Sequence, residues 1–203
     1  MTKKHQALVL AEAGYPVFPL LGKTPVRGCH KCSRYLYDSG TRERNPDFSC
    51  KDGDKCPCVL GGNPMGSTCH GCWAGTTDLA VVEKWWTMNP DFNIGYHLVD
   101  WSHVIYDVDP RNGGSEALAE LENTLGPVPA SKVVETAGGG IHLYVDNPER
   151  LPVQRGWAAV GAFILNRKGS DRKTGIDIKA GPGFYVVAEG SEVGGNVYTV
   201  VNH

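Results

Sequence analysis

The stretch Val104-Ile105-Tyr106-Asp107-Val108-Asp109-Pro110 places two aspartates at the end of an apolar run. In an extended strand, residues two apart point to the same face and lie about 6.6 Å apart along the chain, so both carboxylates are expected to project from one side. Mg²⁺ and Mn²⁺ keep such carboxylates ionised and bind their hard oxygens. The spacing therefore predicts a site for divalent metal ions. The alternative is a strand that simply enters a solvent-facing turn at Pro110.

The chain has 203 residues, of which 41% are hydrophobic, so it is long enough to bury a core of its own. Its first residues lack the apolar stretch of a signal peptide, and no apolar run is long enough to span a bilayer. We therefore expect a soluble, cytoplasmic protein with no membrane partner. Seven cysteines in such a chain favour a metal site over a disulfide framework.

The charge distribution is more informative than the formal net charge of −2. Residues 100–150 hold nine acidic side chains against three Lys or Arg, whereas residues 151–179 hold six basic against two acidic. An acidic segment beside a basic one fits metal ions on one side and phosphates on the other. An ordinary solvated loop is the alternative for the basic segment, whose central residues are Arg167, Lys168, Arg172 and Lys173.

Three segments show the periodicity and end signals of helices. One covers residues 115–125, with Ser115 as the N-cap and Gly126 followed by Pro127 at its end. The second covers about residues 78–88 and the third about residues 5–13. The adjacent Trp85 and Trp86 are expected to belong to the core rather than to a binding surface.

Two further segments alternate with a period of two and carry polar side chains on one face. His142 lies opposite the apolar side chains of residues 141–145, and Asp177 and Lys179 lie opposite Ile176 and Ile178. Residues 184–188 and 197–201 are also predicted strands. We predict an α+β fold in which a mixed sheet packs helices on one face and gathers polar residues on the other. The gathered residues are Asp107, Asp109, His142, Asp177 and Lys179.

The triplet Gly138-Gly139-Gly140 allows a backbone to approach a ligand closely. It is not a P-loop, because no Lys-Ser or Lys-Thr follows it, and the P-loop pattern occurs nowhere in the chain. A hairpin or strand-entry turn is the alternative reading of these glycines.

Residues 26–74 differ in composition and are predicted to form a small zinc-binding insertion held by metal rather than by a core. Two Cys-x-x-Cys pairs, Cys29 with Cys32 and Cys69 with Cys72, have the spacing of a structural Zn²⁺ site. Cys29 and Cys32 are the firmest ligands and Cys69 the next. The fourth is left open, and seven thiols leave room for one ion or two. The candidates for that fourth position are Cys72, Cys50, Cys56, Cys58 and His70.

A series of short motifs follows in order along nearly the whole chain. In that order they resemble the primase-polymerase (prim-pol) domain of the archaeo-eukaryotic primase superfamily, in the branch found in phage and plasmid replication proteins. Each motif alone is weakly specific, and the ordered set is strongly so. The motifs are Lys23-Thr24-Pro25, Gly75-Thr76-Thr77-Asp78, Trp85-Trp86, Pro90-Asp91-Phe92-Asn93-Ile94-Gly95, Asp107-Val108-Asp109, Gly138-Gly139-Gly140-Ile141-His142-Leu143-Tyr144 and Gly175-Ile176-Asp177-Ile178-Lys179.

This resemblance implies one primase-polymerase domain over residues 1–203, with an RRM-like catalytic core in residues 90–203. The implied activity is template-dependent nucleotidyl transfer, as DNA primase and DNA polymerase, with two Mg²⁺ or Mn²⁺ ions. It further implies that Asp107, Asp109 and Asp177 bind the metals. Gly140 stands where the family commonly has a serine, so backbone N–H groups are expected to replace a hydroxyl at phosphate. The nucleotide-binding residues implied are His142, Lys179, Gly139, Gly140 and Asn93.

The implied partners are single-stranded DNA, nucleoside triphosphates and a helicase domain C-terminal to this piece. DNA is expected along Arg167, Lys168, Arg172 and Lys173, and the isolated domain is expected to be a monomer, in host cytoplasm if phage-encoded. Two other functions compete. A metal-dependent glycosyltransferase would explain Asp107 and Asp109 but would leave His142 and Asp177 without roles. A non-catalytic zinc module that binds an origin or single-stranded DNA would use the acidic residues only as surface.

Overall fold

The computed structural model describes residues 1–26, 35–38, 41–44, 71–153 and 174–201. The chain divides into two compact units, Met1–His97 and Leu98–His203. Among the described residues, no helix has the length and apolar character needed to cross a membrane.

The N-terminal unit combines two α-helices with short antiparallel strands. The elements are α1 (Lys3–Glu12), β1 (Val17–Leu21), β2 (Thr24–Pro25), β3 (Tyr35–Asp38), β4 (Thr41–Arg44), a 3₁₀ turn (Gly71–Ala74), α2 (Leu79–Met88) and β5 (Asn93–His97). Strand β1 pairs with β2 and with β5, and β3 pairs with β4. Close packing between β1 and β5 requires a glycine at position 95, since a side chain at Gly95 would collide with the ring of Phe18.

Both helices of this unit begin at side-chain caps. Asp78 accepts hydrogen bonds from the backbone N–H groups of Ala80 and Val81, so the predicted start of α2 is confirmed. Helix α1 begins two residues before its predicted position, because the Thr2 hydroxyl oxygen accepts from the His5 backbone N–H. Trp85 and Trp86 are buried, which confirms their expected place in the core.

The C-terminal unit is built on a five-stranded sheet. The elements of this unit are β6 (His103–Val108), a 3₁₀ turn (Pro110–Asn112), α3 (Gly114–Leu125), β7 (Ala130–Glu135), β8 (Ile141–Asp146), β9 (Ile176–Lys179), β10 (Tyr185–Val187), β11 (Glu192–Val193), β12 (Asn196–Val197) and β13 (Thr199–Val201). The strand order of the sheet is β13-β7-β8-β6-β9, so β6 lies between β8 and the edge strand β9.

The predicted mixed sheet is wrong, because every pairing in this five-stranded sheet is antiparallel. The crossover through α3 does return β7 in the same direction as β6. Strand β8 then inserts between those two strands and pairs antiparallel with each. Strands β6 and β7 therefore run parallel to each other, but no two adjacent strands of the sheet do.

Helix α3 also begins differently from the prediction. Its N-cap is Gly113, in the left-handed conformation with φ 85°, and no side chain caps it, so Ser115 is not the cap. The reason lies just upstream, where Asp109 already caps the 3₁₀ turn Pro110–Asn112 that leads into the helix. Only a glycine adopts the backbone conformation needed to join the two turns without strain.

The two faces of the sheet separate as the period-two pattern predicts. One face is apolar and packs against Ala117 and Leu118 of α3, with Ile176 fully buried. The other face carries the polar side chains of β6, β8 and β9. The buried residues of this apolar cluster are Val104, Val108, Ala117, Val133, Leu143, Ile176, Ile178 and Ala180.

Candidate active site

Asp107, His142 and Asp177 form one row across three adjacent strands. Asp107 on β6, the strand between β8 and β9, is the direct partner of His142 on β8 and of Asp177 on β9. Directly paired residues of antiparallel strands project from the same face, with Cβ atoms about 5 Å apart. The register therefore brings Asp107 together with two residues that lie 35 and 70 positions further along the chain.

The Asp107 carboxylate is held by two neighbours. Its Oδ2 atom accepts a hydrogen bond from Lys179 Nζ, and its Oδ1 atom lies 3.5 Å from His142 Nε2. Burial raises the pKa of Asp107, but the bond from His142 and the charge of Lys179 outweigh it and hold the pKa well below its usual range. Asp107 is therefore a carboxylate throughout the neutral pH range.

Asp177 has the opposite electrostatic setting. Burial raises its pKa, the Lys179 charge lowers it, and the nearby Asp107 carboxylate raises it again, so the net shift is upward. The described neighbours of Asp177 therefore compensate its negative charge less completely than Lys179 and His142 compensate the charge of Asp107. This is the setting in which a bound cation stabilises a site most.

Asp109 lies one residue beyond β6 and turns its carboxylate onto the following 3₁₀ turn. Its two oxygens accept from Arg111 Nε at 3.0 Å and Arg111 Nη2 at 3.2 Å, and Oδ2 also accepts from Asn112 Nδ2 at 2.7 Å. The hydrogen bond from the Arg111 side chain is the main reason that the pKa of Asp109 lies below its usual value. Asp109 is therefore ionised and oriented at the end of strand β6.

A tight turn over residues 136–140 brings β8 up to the same strand end. The Thr136 carbonyl accepts from the Gly139 N–H at 3.0 Å, and the Thr136 hydroxyl accepts from the Gly140 N–H at 3.1 Å. A side chain on Gly140 would place its Cβ 2.4 Å from the Val108 carbonyl oxygen. The glycine that replaces a serine in the motif is thus required by backbone packing, and the N–H groups of Gly139 and Gly140 are used within the turn.

A second close backbone contact fixes the position of Asp109. The Asp109 N–H donates to the Gly175 carbonyl at 2.6 Å, and the Gly114 N–H donates to the Asp109 carbonyl at 3.0 Å. A Cβ on Gly114 would lie 2.5 Å from the Gly175 carbonyl oxygen. The glycines that flank the two aspartate motifs therefore have a packing reason, because they allow the three backbones to meet.

The donor chemistry of the three aspartates fits divalent metal ions. Asp107, Asp109 and Asp177 supply the hard carboxylate oxygens that Mg²⁺ and Mn²⁺ prefer, and Asp177 carries poorly compensated charge. No three His, Cys, Asp or Glu side chains in the described part of the chain already converge as a ready-made metal site. The three aspartates fit such ions once Lys179 no longer bonds Asp107 and the Arg111 guanidinium no longer bonds Asp109.

Further polar residues lie on the same sheet face. Lys132 on β7 pairs with Glu189 at 3.0 Å and lies 4.2 Å from the centre of the Tyr144 ring. In the next row His103 Nε2 lies 3.5 Å from Asp146 Oδ1. Sequence reasoning missed this network, although the alternation along β6 and β8 puts His103, Tyr144 and Asp146 on the face of Asp107 and His142.

Sequence reasoning also missed Arg111, Asn112 and Thr136. The signal for the first two was present, because an aspartate followed by Pro-Arg-Asn is typical of a turn in which the carboxylate bonds the next residues. Thr136 gives no such signal, since many residues could begin the turn before β8 and only the turn geometry shows that its hydroxyl accepts from the Gly140 N–H.

Several predicted site residues are not part of this row. Asn93 is buried in the N-terminal unit, where its side chain donates to the Gly22 carbonyl at 2.9 Å. Cys72 is the one cysteine within the described residues, and burial raises the pKa of its thiol to about 11. The other predicted zinc ligands and alternates and the predicted DNA-binding residues lie outside the described residues: Cys29, Cys32, Cys50, Cys56, Cys58, Cys69, His70, Arg167, Lys168, Arg172 and Lys173.

Comparison with known families gives a match over almost the whole length. The model of the Prim-Pol family, described as bifunctional DNA primase/polymerase, N-terminal, matches residues 7–203. The chain belongs to this family. It is therefore a nucleotidyltransferase, and Prim-Pol membership implies DNA primase and polymerase activity with DNA and nucleotides as substrates. Comparison with curated proteins gives no match.

Proposed function

We propose that the row formed by Asp107, His142 and Asp177 is the centre of a template-dependent nucleotidyl-transfer site. The single observation that carries the proposal is the strand register, which pairs Asp107 directly with both other residues. Asp109 at the strand end supplies a third carboxylate. In this proposal Asp107, Asp109 and Asp177 hold two divalent ions, and His142 and Lys179 contact the nucleotide phosphates.

The reaction is the attack of a 3′-hydroxyl on the α-phosphate of a nucleoside triphosphate, with pyrophosphate as the leaving group. Bound Mg²⁺ or Mn²⁺ would stabilise the attacking and leaving oxygens. Lys179 supplies positive charge beside the carboxylates, where charge develops on phosphate oxygens. His142 is fixed by its own strand and by Asp107, so its ring is oriented before substrate arrives.

The buried state of His142 supports its role. Its Nδ1 atom is buried and has no hydrogen-bond partner among the described residues. A buried polar atom without a partner costs free energy, and a ligand that supplies the bond recovers it. The ring of Tyr198 lies 5.9 Å from that of His142 and limits its movement.

The finer features of the proposal rest on the strand order and on sequence motifs. The order β7-β8-β6-β9 around one crossover helix supports an RRM-like core, since it is a split βαβ arrangement. The Cys-x-x-Cys spacing supports a structural Zn²⁺ at Cys29, Cys32, Cys69 and a fourth ligand. The ordered motifs support a role in phage or plasmid replication with a helicase as partner. A glycosyltransferase remains less favoured, because it gives His142 and Asp177 no role.

The test is synthesis on single-stranded DNA, with and without a primer, using labelled ribonucleotides or deoxyribonucleotides with Mg²⁺ or Mn²⁺. We expect metal-dependent, template-directed products that Asp107→Ala and Asp109→Ala reduce to background. Asp146→Ala is the matched control, since Asp146 is an exposed aspartate on the same sheet face that contacts His103 and Ser131. Full synthesis by both Asp107→Ala and Asp109→Ala would refute the assignment. Zinc analysis of the pure protein tests the proposed structural Zn²⁺ site, and an absence of zinc would refute that site.

A further inference from the structure

Arg111 makes the most extensive side-chain contact with any of the three aspartates. Its Nε and Nη2 atoms donate to the two different oxygens of Asp109, at 3.0 and 3.2 Å. This fork-to-fork geometry is the one in which a guanidinium binds a carboxylate or a phosphate. The Arg111 side chain is 71% exposed and that of Asp109 only 23%, so the guanidinium covers the carboxylate from the solvent side.

Asp109 does not depend on this guanidinium for its orientation. Its Oδ1 atom also accepts from the Arg111 backbone N–H at 3.0 Å, and its Oδ2 atom accepts from Asn112 Nδ2 at 2.7 Å. Both donors belong to the same short turn as Asp109. The carboxylate therefore stays in place when the guanidinium leaves, and an exposed cation can be exchanged at little cost.

The guanidinium lies beside the turn that leads into β8. The Arg111 side chain lies against Gly138 at the start of the glycine triplet, where a Cβ would be 3.4 Å from Nη2. The absence of a side chain at this point lets the guanidinium lie close to the backbone of the turn. Lys179 and His142 lie at the same end of the sheet, next to Asp107.

We propose that Arg111 is an exchangeable cation of the active site. In the metal-free protein it neutralises Asp109; when a divalent ion takes the carboxylate, the guanidinium is released and binds a phosphate group of a substrate. This inference rests on the proposed function, because it requires metal at Asp109. The phosphate belongs either to the nucleoside triphosphate or to the nucleic-acid backbone.

A purely structural role for Arg111, as a brace of the turn, makes different predictions. A brace would affect the free energy of unfolding, and it would leave metal affinity unchanged or weaken it. An exchangeable cation competes with metal, so its removal strengthens metal binding. It also affects phosphate ligands mainly when metal is present.

The first measurement is Mn²⁺ binding to the full chain without substrate, followed by electron paramagnetic resonance, for wild type, Arg111→Gln and Arg111→Lys. We expect Arg111→Gln to bind Mn²⁺ about fivefold more tightly, because a competing ion pair is removed. Arg150→Gln is the matched control. Arg150 lies in the same unit and pairs with Asp100 through a single contact of 3.7 Å, away from the aspartate row. Thermal unfolding of each variant verifies that it is folded.

The second measurement distinguishes the two sources of phosphate. Binding of a nucleoside triphosphate and of single-stranded DNA is measured separately with Ca²⁺, which supports binding without turnover. If Arg111 binds the triphosphate, Arg111→Gln weakens nucleotide binding about tenfold and leaves DNA binding unchanged. If Arg111 binds the nucleic-acid backbone, Arg111→Gln lowers the affinity for DNA when Ca²⁺ is present and has no such effect without Ca²⁺. The salt dependence of DNA binding then decreases by about one phosphate contact.

The inference is overturned if Arg111→Gln binds Mn²⁺ no more tightly than wild type, or if neither phosphate ligand is weakened. Either result in a protein that still polymerises leaves the proposed function standing. A wild-type protein that binds no Mn²⁺ and makes no polymer overturns both. Arg111→Lys, which keeps the charge without the fork, is expected to lie between wild type and Arg111→Gln in each measurement.

Discussion

Asp107 and Asp177 occupy directly paired positions on β6 and β9, so two carboxylates face each other across one strand pair. Like charges at directly paired positions destabilise a sheet. Lys179, two residues beyond Asp177, relieves only part of this repulsion because its hydrogen bond goes to Asp107. The metal-free protein therefore keeps a local destabilisation at the place where a divalent cation would remove it.

The first prediction concerns Asp177→Asn. Without divalent metal, this variant is expected to be more stable than wild type by about 0.5–1 kcal/mol, because a like-charge pair is lost. It is also expected to lose template-directed synthesis and most of the stabilisation that added Mn²⁺ gives wild type. Thermal unfolding with and without Mn²⁺ measures both effects. Asp146→Asn is the control, and a less stable Asp177→Asn protein would contradict the explanation.

The second prediction concerns Gly140→Ser, which restores the residue common in the family motif. Its Cβ would lie 2.4 Å from the Val108 carbonyl, so we expect a loss of about 1–3 kcal/mol in the free energy of unfolding. Gly138→Ala is the matched control in the same turn, because the nearest atom to its Cβ is the flexible end of Arg111 at 3.4 Å. Urea unfolding of the two variants compares them, and equal stabilities would show that the turn relaxes.

The sequence predicts which side chains share a face, but not how the strands pair. Period-two alternation is local, so it sorts polar and apolar side chains within each strand, and the register then puts His142, Asp177 and Lys179 on the face of Asp107. Strand direction depends on β8 inserting between β6 and β7, which no local pattern encodes. The roles of Gly114, Gly140 and Gly175 depend in the same way on contacts between distant backbones. The expected N-cap of α3, Ser115, is wrong because Asp109 caps a 3₁₀ turn after β6, and this turn leads into the helix through Gly113.

The third prediction concerns the ion pair of Lys132 and Glu189, whose side chains are only 17% and 9% exposed. Lys132→Met is expected to cost about 2–4 kcal/mol, because it leaves the Glu189 carboxylate buried without its cation and removes the contact with the Tyr144 ring. The double variant Lys132→Met with Glu189→Gln should recover most of the loss, since no buried charge remains. Urea unfolding measures both variants, and a double variant no more stable than Lys132→Met would argue against the buried charge as the cause.

The fourth prediction concerns pH. Burial lowers the pKa of His103, while Asp146 and Asp100 raise it and Lys132 lowers it, and the net shift is downward. The folded protein therefore binds this proton less readily than the unfolded chain does. Stability from the neutral ring is complete above the unfolded pKa of about 6.5 and is lost as the pH falls through the lower, folded value.

His103→Gln carries a neutral side chain at every pH and should flatten this dependence. We expect the difference in unfolding free energy between pH 7 and the acid side of the His103 titration to be smaller in the variant than in wild type. Titration of the ring protons by nuclear magnetic resonance checks the cause directly. A His103 midpoint above about 6.5 would contradict the burial argument, because the charges of Asp146 and Asp100 would then outweigh desolvation and the stability change would have the opposite sign.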